Sequence, residues 1–254
     1  MAYTTVGFYE SIDGAGAFHN IAAIQDDHVT VFGDNVRVPR NMDRLIGACV
    51  LSGADTSFLD ARLLSPTLRR VFNPHLGILV NALVFGNPPE AMMHPLSPIP
   101  LTPDENITLQ LLSDATAAKL EYGLVWFGDG PQQPVNGEIR TMKADASITL
   151  AAGTWVNGPL VFTEELPAGR YSVVGLRAQG TNLIAARLNF VGGFWRPGAP
   201  AVNALGDRDA KWFRNGRMGI LGEFDQTTPP TIECLGVTDS TQEIWLDLIY
   251  LGQS

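Results

Sequence analysis

The stretch FLDARLLS, residues 58–65, has a near-echo 125 positions later in LIAARLNF, residues 183–190. Both place Ala-Arg-Leu at the same point, Ala61-Arg62-Leu63 and Ala186-Arg187-Leu188. A three-residue match alone is chance, so what decides is whether other landmarks recur in the same order. They do. VTVFGDNVRVP (29–39) lines up with ITLAAGTWVNGP (148–159), IGACVLSG (46–53) with VGLRAQG (174–180), and HLGILV (75–80) with RMGILG (217–222). Ile107, Asp114 and Thr116 match Ile232, Asp239 and Thr241, again 125 apart. LEYGLVWFG (120–128) matches IWLDLIYLG (244–252), with Leu124 and Gly128 over Leu248 and Gly252. Ordered matches with small offset changes identify two diverged copies of one unit, and a period of this size makes them sibling domains rather than a solenoid.

Each copy, near 120 residues, is long enough to bury its own core. The chain is 45% apolar and only 17% charged, and its 26 Gly and 17 Pro suit short strands joined by turns. The net charge is −9, with 7 Lys+Arg against 13 Asp+Glu before Gly128 and 10 against 13 from there on. No basic stripe exists to neutralise phosphates, which argues against nucleic-acid binding by the body of the protein; Arg37, Arg40 and Arg44 read as ordinary surface and interface charge. Of 17 cations, 14 are Arg, a bias that favours association surfaces. Cys49 and Cys234 read as small buried apolar residues rather than a disulfide framework. MAYTTVGFYE lacks the basic and apolar regions of a secretory signal, and no apolar run approaches a membrane span, so synthesis and retention in a cytoplasm is the expectation.

Period-two alternation dominates. Ile107, Leu109 and Leu111 share a face, and after a turn Leu120, Tyr122, Leu124 and Trp126 share another, a hairpin that Ile232, Cys234 and then Ile244, Leu246, Leu248 and Tyr250 repeat. Further strands are expected at 28–32, 44–51, 58–64, 77–85, 147–151, 159–163, 171–178, 183–190 and 217–222, with short helices at 19–25, 65–72, 114–119 and 207–214. Seven or eight short strands per copy argue for β-sandwiches. Residues 1–27 are expected as an N-terminal arm. GDGPQQPVNGE (128–138) has linker composition and sets the boundary near residue 135, giving units at 28–135 and 136–254. Two long insertions interrupt the repeat. One, at 86–105, carries six prolines, including Pro88, Pro95 and Pro98; the other, at 192–213, carries Trp195, Arg196, Trp212 and Phe213. Long loops in a compact domain exist to touch something, and aromatics with Arg are what buried contacts use most, so these residues are expected at subunit contacts.

Catalytic signals are weak. His19, His28, His75 and His94 form no His-x-His or His-x3-His pair of the kind metal-binding barrels use. Glu223-Phe224-Asp225 begins like a glycosidase carboxylate strand, but position 228 is Thr where a third carboxylate is needed. Glu164-Glu165 and Asp207-x-Asp209 offer oxygen ligands of the kind Ca²⁺ takes, although surface acids are common. There is no nucleophile elbow, phosphate-cradling loop or Cys-x2-Cys pair, so neither enzyme activity nor a cofactor is expected.

Two tandem sandwiches, an N-terminal arm, long inter-strand loops and no catalytic set together resemble the double jelly-roll major capsid proteins of tailless icosahedral viruses, especially those of bacterial viruses with an internal membrane. The resemblance rests on architecture and duplication across nearly the whole chain. It implies an all-β fold of two tandem eight-stranded jelly-roll sandwiches with short helices in loops, and a structural role in the virion. It also implies homotrimers forming pseudo-hexagonal capsomers, with neighbouring capsomers, penton or minor capsid proteins and an underlying membrane as partners. The other reading is a two-sandwich carbohydrate-binding, adhesin or spike module that would use Trp195 and Trp212 as stacking platforms.

Overall fold

In a computed structural model, the structure describes residues 2–12, 16–52, 58–70, 75–76, 78–79, 92–113, 119–201, 212–237 and 240–253. The fold is all-β, with a single short 3-10 turn at Leu68–Arg70 as its named helix among the described residues. The first half runs β1 (Tyr3–Ile12), β2 (Phe18–Asn20), β3 (Val31–Phe32), β4 (Asn35–Arg37), β5 (Arg44–Ser52), β6 (Phe58–Leu64), β7 (Ile78–Leu79), β8 (Met92–Met93), β9 (Ile99–Pro100), β10 (Asn106–Ser113) and β11 (Lys119–Gly128). After residues 129–138 the second half runs β12 (Ile139–Ile148), β13 (Val156–Gly158), β14 (Val161–Phe162), β15 (Arg170–Gln179), β16 (Leu183–Asn189), β17 (Gly198–Pro200), β18 (Gly222–Asp225), β19 (Thr231–Gly236) and β20 (Ser240–Gly252).

Each half makes two sheets. Sheet one is β1-β11-β5 with β7, β8 and β9 along β5; sheet two pairs β10 with β2, β4 and β6, and β3 with β4. Sheet three is β14-β12-β20-β15-β18, and sheet four β13-β19-β16-β17. The connectivity repeats. In both halves the first long strand pairs with the last, and the last with the strand preceding Ala-Arg-Leu; the Ala-Arg-Leu strand pairs with the penultimate strand.

The ladders also refine the equivalence. Leu63 stands opposite Leu109 and Leu188 opposite Ile232, so the penultimate strands correspond at an offset of 123, two less than residue matching indicates. An even slip keeps every side chain on its face, which is why the sequence match survives it. The last strands are matched one residue out. Leu124 packs with the second half's core cluster while Val125 and Phe127 line the first half's, so Val125, not Leu124, corresponds to the inward-facing Leu248.

Sheets one and two face each other across Val6, Phe8, Val50, Leu63, Leu109 and Phe127. Sheets three and four enclose Ile148, Leu176, Leu188, Ile232 and Leu246, and the same apolar cluster continues into Tyr3, Ile46, Leu51, Tyr122 and Trp126 of sheet one. Sheet one is therefore buried on both faces, with sheet two behind it and sheet four in front. Tyr3, Tyr122 and Trp126 are at most 1% exposed. Each aromatic removes about 150–250 Å² from water, or ~4–6 kcal/mol before ordering costs.

This burial corrects the N-terminal arm: residues 3–12 pair along their whole length with β11 and form the middle of the molecule. Their sequence, YTTVGFYESI, hides the strand because a strand buried on both faces has no polar side to alternate with. The helix expected at 19–25 is instead the end of β2 and a bridge from Ala23 to Phe8. The strand expected at 217–222 begins only at Gly222, because Gly216 and Gly219 have positive φ and turn the preceding chain. The expected helices at 114–119 and 207–214, and most of 77–85, fall largely outside the described residues.

Candidate functional site

A buried polar cluster lies in the seam between the halves, and the Ala-Arg-Leu motif builds it. On β16, Ala186 and Leu188 point into the second half's core, so Arg187 points out, toward sheet one. Its Nε donates to Glu233, directly opposite on β19, at 2.5 Å, and its Nη1 donates to the Thr5 carbonyl at 3.1 Å. Both terminal nitrogens clamp the Asp26 carboxylate from the first half, and the guanidinium lies 4.2 Å from the Trp155 ring centroid. Asp26 also bonds His28 Nδ1 at 2.7 Å, and His28 Nε2 bonds Thr4 Oγ1 at 2.6 Å. Arg196 adds a second cation, its Nε 3.4 Å from Glu233 Oε1.

The side chains of Arg187, Asp26 and His28 are each only 2% exposed. Burial by itself would raise the Asp26 carboxyl above its ordinary range; hydrogen bonds from His28 and Arg187 outweigh that and hold it well below. Asp26, Asp27 and His28 set ligand atoms within 4.8 Å of one another, the one such trio among the described residues, but both Asp26 oxygens are already taken by Arg187. The arrangement is a bidentate ion-pair lock between two sheets, in which Thr5 Oγ1, Arg196 Nε and Trp155 Nε1 are buried without a hydrogen-bond partner among the described residues.

An excursion delivers Asp26. Phe18–Asn20 and Asn35–Arg37 both pair with β10, and the residues between them loop out to bond β1, with Ile24 N–H donating to the Gly7 carbonyl at 2.9 Å. Glycines let the halves approach. A Cβ on Gly153 would meet Tyr9 Cδ1 at 2.3 Å and one on Gly198 would meet Thr5 Oγ1 at 2.9 Å, and the Gly198 carbonyl accepts the Trp126 indole at 3.0 Å.

The first copy of the motif makes the same assembly on sheet two. Arg62 lies opposite Gln110 and donates to it through Nε at 2.9 Å, and its guanidinium sits 3.9 Å from the Phe18 ring centroid. Phe18 stands opposite Leu112; Trp155 precedes Val156, which stands opposite Cys234, and so lies level with Leu235, which the 123 offset equates with Leu112. Arginine, cross-strand partner and aromatic lid thus occupy equivalent places in both halves.

The residues expected at subunit contacts are placed as follows. Pro88 lies outside the described residues. Pro95 is buried and its carbonyl accepts the Gln132 N–H at 2.7 Å; Pro98 is half-buried. Trp195 is half-buried beside Phe194 and packs on the first half's core, and Arg196 is 7% exposed in the seam. Phe213 is 1% exposed with its ring 5.2 Å from Trp126, and Trp212 packs on the same cluster. Arg196 and Phe213 therefore join two halves of one chain. Glu223 lies on a strand and pairs with Arg170 at 2.8 Å and Ser172 at 3.3 Å; Glu164 and Glu165 are exposed; Asp207 and Asp209 lie outside the described residues. Asp26, His28, Glu233 and the role of Arg187 were not singled out by sequence, although the Arg of the repeated motif was the available signal.

Sheet three turns a different face outward. Lys143 bonds Glu243 at 2.5 Å, and Arg177 and Lys143 lie 4.4 and 5.7 Å from the Trp245 ring centroid. On its central strand β20 the fully buried Asp247 is clamped by Arg214 with two 2.8 Å bonds. Comparison of the chain with protein-family models and with curated proteins yields no match.

Proposed function

We propose that this chain is the self-assembling major capsid protein of an icosahedral virion: two tandem jelly rolls per copy, three copies closing into a pseudo-hexagonal capsomer. The observation that carries the reading is the contact between the halves. It is heterologous, the outer face of sheet one against the outer face of sheet four. The complementary faces, those of sheets two and three, are left at opposite ends of the chain. A head-to-tail contact of that kind, repeated between copies, closes into a ring when its rotation permits. The repeated strand pairing supports two jelly rolls of common origin, and retention of the arginine trio supports a shared packing surface. The buried seam is held by ion pairs between the halves, which suits a tile. The glycan-binding reading draws no support from Trp195 and Trp212, which pack on the chain's own cores.

Negative-stain images of the purified protein test the reading. Hexagonal tiles or shells are expected, and a population of isolated 27.4 kDa particles under every ionic condition would contradict it.

A further inference from the structure

One layer of the first half's interior differs in kind from its sibling in the second. Glu121 of β11 corresponds to Ile244 of β20, at the offset that equates Val125 with Leu248. Directly opposite them stand Glu10 of β1 and Ala144 of β12. In the facing sheets His19 stands opposite Leu111, and Val156 opposite Cys234, the equivalent of Leu111 at the same offset. The second half packs Ile244, Ala144 and Val156 into its apolar core. The fold therefore does not require polar groups in this layer, yet the first half sets two carboxylates and an imidazole at the same three points. Glu121 is wholly buried, a costly place for a charge without a partner.

The bonding of the three calls for a cation. His19 Nδ1 lies 3.3 Å from the Ala17 carbonyl, which only accepts, so this nitrogen carries a proton. Nε2 of the neutral ring then turns a lone pair toward Glu121 Oε2, 2.7 Å away. Two acceptors at that distance need a proton or a metal ion between them. The other Glu121 oxygen, Oε1, is buried with no hydrogen-bond partner, and Glu10 adds a second carboxylate on the same face. Burial, together with Glu121 and Asp34, holds the Glu10 carboxyl above its ordinary range against the pull of His19. Among the described residues neither glutamate is paired with a Lys or Arg. A shared proton offsets one of the two negative charges, whereas a divalent ion offsets both. A backbone carbonyl on the far ring nitrogen is also the contact that orients imidazole ligands of metal ions.

We propose that His19 Nε2, Glu121 and Glu10 bind a divalent metal ion of the kind that takes mixed imidazole and carboxylate ligands, Zn²⁺ foremost, and that the ion clips sheet two to sheet one. The ion enters past His19, 14% exposed, and the partly exposed Glu10 side chain turns onto it. The site is independent of the assembly reading.

Calorimetric titration and melting curves of the full chain, stripped with EDTA, test it with ZnCl₂, CaCl₂ and MgCl₂. Zn²⁺ at about a hundredfold excess over its dissociation constant should raise the wild-type midpoint by about 5 °C or more. Ca²⁺ and Mg²⁺, which favour all-oxygen sites, should bind at least about tenfold more weakly. Giving the layer its sibling's residues, Glu10→Ala/His19→Val/Glu121→Ile, should abolish the Zn²⁺ shift. If that protein does not fold, His19→Gln and Glu10→Gln are measured singly, each expected to weaken Zn²⁺ binding at least about tenfold. A wild type that Zn²⁺ neither binds nor stabilises, Ca²⁺ acting as strongly as Zn²⁺, or a Zn²⁺ response that survives these substitutions would each overturn the site.

Discussion

Arg187 of the second half clamps Asp26 of the first through both terminal nitrogens while Glu233 takes its Nε, so one guanidinium ties three segments together in a seam that excludes water. Its sequence twin Arg62 has Gln110 and Phe18 in the places of Glu233 and Trp155, and among the described residues holds no carboxylate. The pair separates what the motif does by itself from what burial adds.

Removing Arg187 leaves Asp26 buried with only His28, and Glu233 with only the more distant Arg196, as ion-pair partner. Arg187→Ala is expected to destabilise the chain by about 3–5 kcal/mol, whereas Arg62→Ala costs the folded chain under ~1 kcal/mol. Urea denaturation of both variants, at a concentration where the wild type has the same oligomeric state, checks the contrast. Arg187→Lys should recover only a minor part of the loss, because a single ammonium cannot fork to Asp26 and reach Glu233.

Acid should act on the same seam. The folded Asp26 carboxyl lies below its ordinary value of 3.8, so the fold holds the ionised form. That stabilisation is fully present above about pH 4 and is lost as pH falls from there toward the lower folded value. Stability measured from pH 5 downward should decline less steeply in Asp26→Asn than in the wild type, from a lower starting point. Parallel curves would contradict the assignment.

Gly198 brings the second half close to the first, where a Cβ would meet Thr5 Oγ1 at 2.9 Å. Its carbonyl serves both Tyr3 and Trp126, and a methyl group there would meet backbone as well as side chain. Gly198→Ala is expected to cost about 1–3 kcal/mol. The added volume should also loosen Trp126, read as a red shift of its fluorescence.

Much of this architecture is legible in the sequence, and what is hidden has identifiable causes. Alternation in residues 107–111 and 244–250 marks the hairpins because one side of each strand is wetter than the other. The same criterion misses β1, since Tyr3, Thr5 and Tyr9 face the second half while Val6 and Phe8 face the first half's core. Within 192–213, Arg196 and Phe213 are buried against the first half, and composition carries no information about whether the other side of a contact belongs to the same chain. Asp26 is invisible for a related reason: an acid in a polar loop, AIQDDH, reads as solvent-facing until a partner 161 residues away encloses it.

The cysteines give an independent check on packing. Cys49 and Cys234 are buried and unpaired; burial, helped by nearby Glu233, pushes the Cys234 thiol up to about 12, and burial raises Cys49 as well. Both should resist thiol reagents in the native chain at neutral pH and react only at the rate of unfolding. Rapid native labelling of either would mean the sheets are less closely packed.

Light-scattering mass of the purified chain across concentration and salt addresses the central claim, that the contact joining the halves recurs between copies. A species of three times 27.4 kDa that dissociates in whole monomers is the predicted result. A monomer at every condition, or a two-fold dimer as the terminal species, would contradict it.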